Sequence, residues 1–138
     1  MVLNDAALNV LNGPLLANLT TINPDGSTQV SIVWVKAEGD DITLAHLGTG
    51  QKLRNIGRDP RVTVTVISGH RNETGLDEYL VVHGRAHLVD GGAPALLQEL
   101  AHTYLGPDVD FPPMPDPPKG TIVHITPHRV GGIGPWTD

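Results

Sequence analysis

The chain has 138 residues, 39% of them hydrophobic, a formal net charge of −6 and no cysteine. A single domain of this length can bury its own core, and the composition excludes disordered and fibrous classes. Without cysteine there is no disulfide framework and no thiolate chemistry, and the acidic balance argues against a nucleic-acid partner.

Asn4-Asp5 caps a short helix over Asp5–Leu11, which Asn12-Gly13-Pro14 ends. Leu15–Ile22 reads as a strand, Asn23-Pro24-Asp25-Gly26 as a turn, and Thr28–Lys36 as the return arm of a hairpin. Alternation on that arm sets Val30, Ile32 and Trp34 on one face and Gln29, Ser31 and Val33 on the other. The turn Glu38-Gly39-Asp40 leads to a third strand, Asp41–Leu47, which predicts a three-stranded antiparallel meander. Gly48 and Gly50 then open a short basic helix that Asp59-Pro60 stops.

Arg61–Ile67 alternates as a strand, and Ser68–Asp77 reads as a polar loop. Glu78–Val89 is a long strand with Leu80, Val82, Ala86 and Leu88 on its apolar face and a bulge or bend at Gly84. Leu96, Leu97, Leu100, Ala101 and Tyr104 recur at helical spacing and predict a helix over Pro94–Leu105. Gly106–Lys119, densest in proline over 109–119, is expected as a surface loop, followed by a strand at Thr121–Thr126 and a flexible tail over 129–138. Residues 1–138 thus form one mainly β domain of six strands with two or three short helices, better fitted to a small barrel than to alternating βαβ units. Apolar runs such as Ile32–Val35 are strand-sized, and Met1–Ala7 lacks the marks of a signal peptide. No membrane partner and a cytoplasmic location are the expectations.

The stretch Thr49–Val66 carries the strongest chemical signal. Thr49 is a candidate N-cap, Gly50 permits a close approach, and Lys52 adds charge to the first helical turn, where N–H groups and the helix dipole favour an anion. Lys52 and Asn55 lie one turn apart and are expected to face one ligand, while Leu53 and Ile56 pack inward. The Gly-x-x-x-x-Gly-Lys-Ser/Thr and Gly-x-Gly-x-x-Gly spacings are both absent, so the signal is for a generic phosphate site. A solvated helix face is the competing reading of Lys52, Arg54, Arg58 and Arg61.

The seven histidines do not build a metal site in sequence, because four strand residues separate His83 from His87 by about 13 Å. No Gly-x-Ser-x-Gly elbow occurs, and Asp40-Asp41 and Asp77-Glu78 sit in turns. Trp136, in a glycine-rich tail, is expected to dock on a ligand or a partner subunit.

The run Lys52-x-Arg54-Asn55-x-x-Arg58-Asp59-Pro60-Arg61, with Gln29-x-Ser31 before it and Gly84 in the long strand after it, resembles the pyridoxamine 5′-phosphate oxidase-like flavin-binding split barrels. The likeness is greatest to small deazaflavin (F420)-dependent members and spans about residues 5–134. It implies a six-stranded antiparallel split β-barrel of the FMN-binding type and a homodimer with two cofactor sites at its interface. Gln29, Val30, Ser31, Ile32 and Val33 would lie along the cofactor ring. Thr49, Gly50, Gln51 and Lys52 would hold the phosphate end, and Trp136 would come from the other subunit. Relatives commonly carry an arginine where Gly50 stands here, which tilts the expectation from FMN toward F420. The implied activity is an F420-dependent reduction of a small unsaturated or quinone-like molecule. An FMN oxidase or reductase, a non-catalytic cofactor carrier and a metal or haem-binding barrel are the alternatives.

Overall fold

The computed structural model describes residues 2–137. Helix α1 (Asp5–Leu11) precedes β1 (Ala17–Ile22), β2 (Thr28–Val33), β3 (Lys36–Glu38) and β4 (Asp41–His46). Helix α2 (Gln51–Arg58) leads to β5 (Arg61–Arg71) and β6 (Asp77–Asp90), and α3 (Ala93–Tyr104) to β7 (Thr121–Ile133). The strands form one antiparallel sheet of seven in the order β2-β1-β5-β6-β7-β4-β3.

That order carries its own closure argument. Strands β2 and β3 lie at opposite edges, yet only Trp34 and Val35 separate them in the chain. Three residue steps reach at most about 11 Å, so the sheet must coil until its two edges nearly meet. The result is a barrel with a gap that Trp34-Val35 crosses. Tyr104 of α3 fastens this crossing: its hydroxyl accepts the Val35 N–H at 3.1 Å and donates to the Leu15 carbonyl at 2.8 Å.

Two expectations are corrected here. The sheet has seven strands rather than six, because Thr28–Lys36 is two strands on different edges rather than one arm. There is no three-stranded meander either, since β4 pairs with β7 and β3, not with β2. Alternation alone could not show where the chain leaves one ladder for another, since Val35 remains buried across the break.

Side chains alternating inward from the long strands make the core. Leu19, Val64, Val66, Leu80, Val82, Ile42, Leu44, Val123 and Ile125 are each 1% exposed or less. Leu53 and Ile56 of α2 and Leu11 of α1 join the same cluster. Burying each such side chain is worth roughly 1.5–3 kcal/mol, which is why the short helices hold against the sheet without strong intrinsic propensity.

Strands β5 and β7 run farther than expected, to Arg71 and Ile133. Strand β7 passes through Pro127 because the β6–β7 register shifts there, so Pro127 faces Gly84 at an irregularity. Gly84 is needed for space: a Cβ would sit 2.5 Å from the Thr126 carbonyl oxygen.

The tail is structured as well. Trp136 is 8% exposed and belongs to the protomer's own core, with its indole N–H donating to the Tyr79 carbonyl at 3.1 Å. The expectation of a ring free to cover a ligand or a partner is therefore corrected, because the long β7 carries the tail back along β6.

Candidate functional site

Helix α2 starts at Gly50, which is its N-cap in extended conformation, without a side-chain cap. Thr49 is therefore not the cap and lies exposed one residue earlier. A Cβ on Gly50 would meet only the His46 ring, at 3.8 Å, which is ordinary contact. A larger residue would fit, so the missing cation at this position is a chemical difference and not a steric necessity.

Lys52 is half-buried on the first turn of α2 and lines a cavity of about 250 Å³ with Ile32, Val33, Trp34, Ala45, Leu97 and Phe111. Burial lowers its pKa below the usual 10.5 of lysine. No carboxylate pairs with it among the described residues. An ammonium held partly out of water and without a counter-charge is poised for an anion. The aromatic wall is itself ordered, since Trp34 stacks on Tyr104 at 5.5 Å and meets Phe111 edge-on at 5.3 Å.

Gln29 and Gln51 share a neighbouring recess with Asn23, Asp25 and Ser27. Ile32, Val33 and Lys52 thus line one cavity and Gln29 and Gln51 another, on either side of consecutive residues at the start of α2. Val30 and Ile32 point outward, 56% and 60% exposed, whereas Gln29 and Ser31 share the face of buried Val33. The apolar side of β2 is the uncovered side.

Asn55 departs from the expected role. It is fully buried, and its Nδ2 donates to Thr21 Oγ1 at 3.0 Å and to Asn23 Oδ1 at 2.9 Å. Its Oδ1 accepts from Gln51 Nε2 at 2.7 Å. It therefore ties α2 to the β1–β2 hairpin and does not face a ligand beside Lys52. The remaining basic residues are also partly committed: Arg58 donates to the Ile22 carbonyl, and Arg61 makes a two-point pair with Asp59 at 2.7 and 3.0 Å. Those hydrogen bonds hold the Asp59 carboxyl at about 2, well under the usual carboxylate range.

His46 went unnoticed in the sequence. It ends β4, its Nδ1 lies 3.0 Å from the Gly48 carbonyl oxygen, and its ring borders Gly50. Its only sequence signal was its place two residues before the glycine turn. Among the described residues no group of three or more histidines and carboxylates is arranged to hold a metal ion. Among the described residues no helix is long and apolar enough to cross a membrane.

A family model for pyridoxamine 5′-phosphate oxidase matches residues 3–134. No curated protein matches the sequence at a significant level. Among solved structures, an F420 reductase is 28% identical with a TM-score of 0.71, the match covering 89% of this chain and 94% of that one. A conserved hypothetical protein from Mycobacterium tuberculosis is 23% identical with a TM-score of 0.70, over 94% and 83% of the two chains. HupZ of Group A Streptococcus, at 15% identity and a TM-score of 0.67 over 94% of each chain, shares the fold.

Proposed function

The chain belongs to the pyridoxamine 5′-phosphate oxidase family, and from that premise we propose that it is an F420-dependent oxidoreductase acting on a small unsaturated or quinone-like molecule. The likeness to an F420 reductase supports the choice of cofactor. One observation carries it: Lys52, on the first turn of α2, is half-buried without an ion-pair partner among the described residues and is the one cation lining an apolar and aromatic cavity. One cation suits the singly charged phosphodiester of F420 better than the doubly charged phosphate of FMN.

When bound, the deazaflavin supplies the hydride chemistry. Lys52 and the N–H groups at the start of α2 would fix its phosphate. Gln29 and Ser31 would offer hydrogen bonds toward ring heteroatoms, and Trp34 and Phe111 would bound the space beside the ring and keep water from it. A homodimer fits the same reading, because Val30 and Ile32 present apolar surface that a lone protomer leaves in water.

Side-by-side fluorescence titration with F420 and FMN tests the proposal. F420 is expected to bind, and Lys52→Ala to weaken it by roughly 1.5–3 kcal/mol, the scale of one charge-assisted contact. Tight FMN binding with unchanged F420 fluorescence would overturn the cofactor assignment. Consumption of reduced F420 with candidate enones or quinones, above the rate without protein, separates an enzyme from a carrier.

A further inference from the structure

A second recess opens elsewhere on the sheet and shares no lining residue with the cavities beside α2's first turn. Its volume is about 410 Å³, and Arg61, Arg85, His83 and His128 stand around a floor at Gly84. Arg61 and Arg85 are direct cross-strand partners on β5 and β6. Like charges placed opposite on a sheet repel and cost stability, so the arrangement needs a compensating reason.

The surrounding residues supply one. His83 is two residues back on β6, opposite Thr63, whose hydroxyl lies 3.3 Å from the imidazole Nδ1. His128 reaches the same recess because the β6–β7 register shifts between His83 and Gly84, which re-aims the chain after Pro127. Arg61 is already engaged by Asp59, but Arg85 has no ion pair among the described residues. No carboxylate lines the recess, although the whole chain carries a net charge of −6. Ile22, at the end of β1, adds apolar surface on the same side as Thr20.

The geometry points to a binding site for a small organic phosphate, separate from the cofactor site proposed at Lys52. Arg85 supplies the free guanidinium, His83 and His128 donate N–H bonds from two sides, and Ile22 takes the apolar body of the ligand. A tetrahedral anion with several acceptor oxygens satisfies donors arriving from three directions, which a flat carboxylate does less well.

The test is an NMR titration with phenyl phosphate, following the imidazole C2–H signals, with benzoate as the carboxylate arm. The signals are assigned through His83→Gln and His128→Gln. Phenyl phosphate is expected to move the His83 and His128 signals, and Arg85→Gln to weaken binding by about tenfold or more, as for the loss of one charge-assisted contact. Arg85 is exposed, and an unchanged far-UV spectrum checks that the variant folds. The shifts should persist in Lys52→Ala. The pocket and the F420 reading can therefore fail independently, the former leaving F420 binding intact and the latter leaving these shifts intact. Unmoved His83 and His128 signals, equal binding by Arg85→Gln, or tighter binding of benzoate than of phenyl phosphate would each overturn the assignment.

Discussion

Lys52 and Asn55 lie three positions apart on one short helix, and burial gives them opposite tasks. Asn55 has its amide fully occupied inside the protomer by Thr21, Asn23 and Gln51. Lys52 has no such partner and pays a desolvation cost that lowers its pKa. The spacing of the two was readable from sequence, but not that a hairpin from elsewhere in the chain would occupy Asn55. The sign of a pH effect follows from Lys52. Its ammonium is present at neutral pH and is lost as pH rises through a pKa below 10.5. F420 affinity should therefore hold near neutrality and fall on the alkaline side earlier than an ordinary lysine would dictate. Lys52→Arg should keep its affinity to higher pH, because guanidinium does not titrate there. Titrations from pH 7 to 10.5 with both proteins check this, and parallel profiles would remove Lys52 from the site.

At the scale of elements, local signals fixed most of the ladder. The helix Asp5–Leu11, the turn at Asn23–Gly26 and the strands β5 and β6, though not their pairing, were legible because alternation, capping residues and turn chemistry agree there. What escaped was non-local. The break at Trp34-Val35 depends on Tyr104 of α3, and the continuation of β7 past Pro127 depends on β6 offering a register shift. Gly84 is where the two kinds of signal meet, since the glycine predicted a bend and the bend proves to be the irregular pairing with β7. A methyl group there would press on the Thr126 carbonyl at 2.5 Å, so the backbones of β6 and β7 would have to part. Gly84→Ala should lower stability by about 1–3 kcal/mol, the usual scale of overpacking. Denaturant unfolding with an unchanged slope would measure it, and a variant as stable as the native protein would show that the shifted pairing can relax at no cost.

Across the whole molecule, the outer face of the sheet changes character along its strands. One end holds the cationic recess around Arg61 and Arg85. Toward the other end, cross-strand rows run Ile32–Asn18–Thr65–Val81 and Ile67–Tyr79–Ile133. There Ile32 is 60% exposed, Ile67 65% and Tyr79 39%, although Tyr79's carbonyl also anchors the buried Trp136. An apolar row on an otherwise acidic protein is unfavourable in water, and a second copy is the occupant that the proposed function requires, since Ile32 also borders the Lys52 cavity. Sedimentation should therefore give a dimer. Ile67→Arg should shift it toward monomer without unfolding the protomer, because that side chain is already mostly in solvent, and should weaken F420 binding along with association. A native protein that sediments as a monomer and still binds F420 would place the whole cofactor site within one protomer. It would leave the apolar rows to some other partner.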